Sequence, residues 1–117
     1  MPDVPDLPDV PGFVLIESSG PASGSSVPRF LGDATTLARS GHPVRLVLVQ
    51  EGVTAALPAA QPQLAELLSY GAELWVDRYA LTQRGLDADQ LPARARLVGM
   101  DEVAGELLAP GTKVVWH

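Results

Sequence analysis

The sequence predicts an α/β fold, a single three-layer α/β/α domain built on a mostly parallel, five-stranded sheet. Three observations carry this. Short apolar runs rich in Val, Leu and Ile alternate, from Phe13 onward, with segments whose apolar residues recur at helical spacing. Each helical segment lies between two such runs, and parallel strands need crossover connections of that kind. The chain has 117 residues, 46% of them hydrophobic and only 5% aromatic, which suffices for one core made mainly of Leu, Val, Ala and Ile.

The elements follow in order. Phe13-Val14-Leu15-Ile16 is a continuous apolar run, as expected of a strand buried on both faces. A Gly/Ser/Pro stretch from Ser18 to Pro28 comes next. Phe30, Leu31, Ala34, Leu37 and Ala38 then share a helix face, with Gly41 placed to end the helix. Val44 to Val49 is a second strand. Leu64, Leu67 and Leu68 mark a second helix, with Pro62 near its start and Gly71 past its end. Glu73 to Val76 is a third strand, and Arg96-Leu97-Val98 a short fourth. Asp101 to Ala109 forms a helix with Val103, Leu107 and Leu108 inward, closed by Pro110-Gly111, and Lys113 to Trp116 is the last strand. Trp75 and Trp116 read as core residues; exposed, they would instead point to an interface.

Residues 1–12 stand apart from this domain, which runs from 13 to 117. Prolines at 2, 5, 8 and 11 and aspartates at 3, 6 and 9 predict an extended, solvated arm. The net charge of −6, with eight basic residues spread along the chain, speaks against nucleic acid as a partner. No apolar stretch approaches the roughly 20 residues of a membrane span, and the N-terminus lacks a signal-peptide pattern, so a cytoplasmic location is expected. The absence of cysteine removes disulfides, thiolate metal sites and cysteine nucleophiles together.

Ligands of open parallel sheets bind beyond the carboxyl ends of the strands. That rule selects Glu17 to Ser26, Gln50 to Val53, Asp77 to Gly85 and Gly99 to Glu102. The Ser18 to Ser26 loop is rich in backbone and hydroxyl donors that could hold a phosphate, yet it lacks a P-loop lysine and a G-x-G-x-x-G spacing, and a solvated loop is the reading preferred over a phosphate cradle. Asp77 directly follows an apolar strand. It could serve as a general base or hold a cationic or hydroxylated ligand, with Arg84 for an anionic group, or it could cap a helix through Tyr79 to Thr82. His42, in a helix-to-strand turn, and His117 are far apart and show no metal-ligand spacing. No serine sits in a nucleophile-elbow pattern.

Three segments taken together, ATTLARSGHPVRLVLVQEGV (34–53), GAELWVDRYALTQRG (71–85) and the final KVVWH, resemble the DsrE/DsrF-like family, which includes the Tus sulfur-relay subunits. The resemblance covers essentially Phe13 to His117 and implies a three-layer domain with a five-stranded parallel sheet. It also implies assembly as a homo-oligomer or with related subunits. In the family's sulfur carriers a cysteine stands eight residues before the glycine of an Arg-Gly pair. Here that pair is Arg84-Gly85, and the position is Asp77. A carboxylate has no sulfur nucleophile and cannot form a persulfide. The expectation is therefore a non-carrier member, an oligomeric accessory or small-ligand-binding module. Its candidate pocket is Glu17, Ser18, Ser19, Gln50, Glu51, Gly52, Asp77, Arg78 and Arg84. No cofactor or metal is expected, and no catalytic residue unless it is Asp77. Two alternatives stand beside this reading: a small-molecule enzyme using Asp77 as acid or base, and a phosphate or nucleotide binder using the Ser18 to Ser26 loop.

Overall fold

A computed structural model describes residues 12–24, 26–58 and 61–117. The expected arm, up to residue 11, lies outside them, as does Ser25 of the first loop. Five parallel strands, β1 (Gly12–Glu17), β2 (Val44–Leu48), β3 (Glu73–Asp77), β4 (Ala95–Val98) and β5 (Thr112–Trp116), form one sheet in the order β4-β3-β2-β1-β5. The helices are α1 (Ser26–Arg39), α2 (Gln61–Ser69), α3 (Arg78–Gln83) and α4 (Met100–Leu107).

The topology follows from handedness. From β1 to β4 the chain steps toward one edge, so right-handed crossovers put α1, α2 and α3 on the same face. From β4 it returns across all the other strands to β5, and α4 therefore lies on the opposite face. The two cores divide accordingly. Leu15, Leu46, Leu48, Leu74 and Val76 pack against Phe30, Leu31, Ala34, Leu64, Leu67 and Leu81. Val14, Ile16, Val47, Val49, Trp75 and Val98 pack against Val103 and Leu107. Strands buried on both faces explain why β1 and β2 read as continuous apolar runs.

The helix signals act where expected on α1 and α2, whereas on α4 Val103 is buried but Leu108, expected inward, caps the helix and is 84% exposed. On α1 the buried residues are Val27, Phe30, Leu31, Ala34, Thr35 and Ala38, and the buried Thr35 hydroxyl donates to the Leu31 carbonyl at 2.9 Å. Gly41 and Gly71 follow α1 and α2 with φ of 95° and 89°, conformations that favour glycine. Three 3-10 segments, Pro21–Ser23, Gln50–Ala56 and Ala88–Gln90, were not marked by the sequence pattern.

The α4 face is thinly covered, since a single eight-residue helix spans it. Two guanidiniums supplement it: Arg45 and Arg96 lie 4.2 and 4.8 Å from the Trp75 ring centre. Arg45 is paired with Glu73 and Glu106, and Arg96 with Glu102. Trp75 is thus buried, as expected of a core residue. Trp116 is not: it is 57% exposed. This corrects the core assignment. Among the described residues β5 is an edge strand that pairs with β1 alone, and its outward side chains stay exposed on the α4 face.

Candidate functional site

The strand order reverses between β1 and β5, and the carboxyl ends of the strands are where ligands of such sheets bind. An open cleft of about 300 Å³ lies at that end on the α4 side. Val49 and Gln50 come from the end of β2, Asp77 from the end of β3, and Tyr79, Ala80, Gln83 and Arg84 from α3 and its cap. Met100 opens α4, and Trp116 closes β5. A smaller crevice of about 160 Å³ lies at the amino end, beside Gly12, Pro43 and Thr112.

Asp77 is 6% exposed, and its Oδ1 accepts the Tyr79 amide N–H at 3.1 Å. It is therefore the N-cap of α3, and it also lines the cleft. Both roles share one cause: the strand ends and the helix begins at the same residue. Gln50 is the one non-glycine among the described residues with positive φ, at 50°. Such a backbone is sparsely populated outside glycine and asparagine. Gln83 donates to the Tyr79 hydroxyl at 3.1 Å.

Arg84 does not offer its charge freely. Its Nε and Nη2 both lie 2.8 Å from Glu51 Oε1, and its Nη1 donates to the Ala80 carbonyl. Arg84 is paired with Glu51, and the other charged residue lining the cleft is Asp77, for which the described residues give no ion pair. Aromatic and sulfur side chains stand at its rim, where Tyr79 is 69% and Met100 45% exposed.

The remaining candidate residues fall elsewhere. Glu17 pairs in register with Leu48, so it points to the α1 side of the sheet, away from the cleft. It is fully buried. Its Oε2 accepts the Ser19 amide N–H at 2.9 Å, and its Oε1 lies 2.7 Å from His117 Nδ1. The His117 ring in turn stacks on Phe30 at 4.7 Å. Ser18 donates both its amide and its hydroxyl to the His117 carbonyl. The Ser18 amide and hydroxyl and the Ser19 amide are thus spent within the protein. Gly52 lies against the Glu17 carbonyl, where a Cβ would collide with it. Arg78 reaches away to the Leu97 carbonyl at 3.4 Å. His42 sits at the amino end, edge-on to Phe13. Of the nine pocket candidates, the cleft brings together Gln50, Asp77 and Arg84.

Of the other cleft residues, Tyr79, Gln83 and Met100 lie in segments that the strand-end rule selects but were not singled out there, and Trp116 was read as core; the partnership of His117 with Glu17 was not foreseen. The exposed rim had no distinctive sequence signal, because a tryptophan in an apolar run reads as core. The Glu17–His117 contact spans nearly the whole chain and follows from β5 pairing with β1. Among the described residues no cluster of three or more His, Cys, Asp or Glu could hold a metal ion. Nor is any helix among them long and apolar enough to cross a membrane.

Solved structures share this architecture. YchN from E. coli superposes with a TM-score of 0.81 at 22% identity, covering 92% of this chain and all of its own. The protein of unknown function MTH1491 from Methanobacterium thermoautotrophicum gives a TM-score of 0.75 at 16% identity over 91% of this chain and 99% of that one. BT1422 from Bacteroides thetaiotaomicron, also of unknown function, gives 0.72 at 15% identity over 90% and 94%. At such identities the likeness is one of fold. No curated protein sequence matches the chain. The model of the DsrE/DsrF-like family, however, matches residues 12–116, and with that match over nearly the whole domain the chain belongs to the DsrE/DsrF-like family.

Proposed function

We propose that this chain is a non-carrier DsrE-like protein that binds a small donor-bearing molecule, a cation or a hydroxylated compound, in the Asp77 cleft and works as part of an assembly. The observation that carries the reading is the cleft itself. It lies at the ligand end of the sheet, holds the carboxylate that the family resemblance matches to the carriers' cysteine, and sits in a chain with no cysteine. A volume of about 300 Å³ suits a small molecule. Asp77 favours a ligand with N–H or O–H donors, and the Trp116 and Tyr79 rings supply flat apolar surface beside it. Arg84, matched by Glu51, gives an anionic ligand little to gain. Assembly with further copies or related subunits is what the family resemblance implies.

The test is thermal denaturation of the wild type and Asp77→Asn in the presence of a panel of small amines, polyols, carboxylates and phosphates. Asparagine caps helices about as well as aspartate, so this variant keeps the fold and removes the charge. Stabilisation by an amine or polyol that disappears in Asp77→Asn is the expected result. Stabilisation by carboxylates or phosphates alone, or binding indifferent to the substitution, would contradict the proposal.

A further inference from the structure

We infer that the outer edge of β5 is a pairing surface for a second copy of this chain, joining the two sheets through an antiparallel β5–β5 contact about Val114. The inference deepens the assembly part of the proposed function and does not depend on what the cleft binds.

Of the two sheet edges, β5 is the bare one. At β4 the exposed Arg96 is tied to Glu102, and Arg78 donates to the Leu97 carbonyl. Charged side chains of this kind blunt an edge against pairing. Along β5 no strand covers the outer side among the described residues. Register with β1 puts Val114 on the α4 face beside Val14, and Val115 on the α1 face beside Leu15. Their exposures are 41% and 43%, so both faces are open to the same degree. A partner lying on one face would cover only half of this apolar surface. A strand added at the edge continues both.

The backbone is poised for that addition. The His117 amide donates to Ile16, and its carbonyl accepts from Ser18, so at His117 both groups face β1. Alternation along a strand then turns the amides and carbonyls of Thr112, Val114 and Trp116 outward. With the two-fold axis at Val114, Val114 faces its own copy, Thr112 faces Trp116 of the second copy, and Lys113 faces Val115 of the second copy. Each outward amide meets an outward carbonyl.

Charge identifies the occupant. The chain is acidic overall, with a net charge of −6, yet β5 carries no acid and a single base, Lys113. Two copies paired here therefore bring no acidic strand residue against another, and the two lysines never stand opposite each other. Residues 1–11 are a poorer occupant: their four prolines have no N–H to give to a ladder. The pairing also sets Thr112 of the second copy beside Trp116, a wall of the cleft.

Sedimentation of the full chain over a range of concentrations tests this. The wild type is expected to be a dimer, or a larger assembly containing that dimer. Val114→Pro removes only an outward N–H, and losing both central hydrogen bonds should weaken the dimer about 10- to 100-fold. Val114→Lys, which keeps the backbone and sets two charges face to face, should weaken it as well. Circular dichroism confirms that each variant remains folded. A monomeric wild type overturns the inference, as does a dimer indifferent to both substitutions. Repeating the amine and polyol panel on monomeric Val114→Lys separates the two proposals, because loss of pairing with retained Asp77-dependent binding leaves the cleft reading intact.

Discussion

Asp77 carries two duties through one carboxylate, capping α3 through the Tyr79 amide and lining the cleft. Replacing it with alanine removes the cap and should cost about 1 kcal/mol in urea denaturation, whereas Asp77→Asn should cost little. Gly52 is held by contact and not by backbone conformation. A methyl group there meets the Glu17 carbonyl, so Gly52→Ala should destabilise by roughly 1–3 kcal/mol in the same measurement. At this scale the sequence was partly legible. Asp77 stood out because a charged residue directly ended an apolar strand. Glu17 was legible as a residue near the strand end, but not as a buried group facing the other side of the sheet. That depends on β1 register, and on a histidine 100 residues away that only the strand order brings to it.

Among the elements, α2 anchors the three-helix face. Leu64 and Leu67 are fully buried between the sheet and its neighbours, and Leu67→Ala should cost about 2–5 kcal/mol by urea denaturation. The five strands and α1, α2 and α4 were visible as runs or spacings, with ends within a few residues, because buried parallel strands and amphipathic helices leave clear patterns, whereas the six-residue α3 was foreseen only through the capping reading of Asp77. The 3-10 segment Gln50–Ala56 was not. Its buried Gly52, Val53, Ala55 and Ala56 are small, and so short a segment has no helical periodicity to detect. β5 was read correctly as a strand and wrongly as core. An apolar run does not say whether its strand is central or at an edge, and here the exposed residues are the ones available for pairing.

For the whole molecule, the fold is that of the DsrE/DsrF-like family, and the sequence lacks the thiol that a persulfide needs. The chain holds no cysteine, so no persulfide can form on it. If Asp77 occupies the carrier position, Asp77→Cys should acquire sulfane sulfur from a small persulfide donor. A cysteine there would begin α3, and a helix N-terminus favours thiolate. Mass spectrometry should find more added sulfur on this variant than on a control cysteine at the exposed Ser69. Equal labelling would count against that correspondence. The rest of the function was not legible because the cleft is assembled from the ends of β2, β3 and β5 and the starts of α3 and α4, five places that meet only in the folded sheet.

The central claim is that this cleft, with Asp77 in its wall, is where the protein takes its ligand. The most direct measurement is the backbone amide NMR spectrum of the labelled protein, titrated with whichever amine or polyol stabilises it most. Saturable shifts gathered at Val49, Gln50, Tyr79, Ala80 and Gln83, absent in Asp77→Asn, are the predicted result. Shifts centred on Gly12, Val44 and Thr112 at the opposite end of the sheet, or a response unchanged in Asp77→Asn, would contradict it.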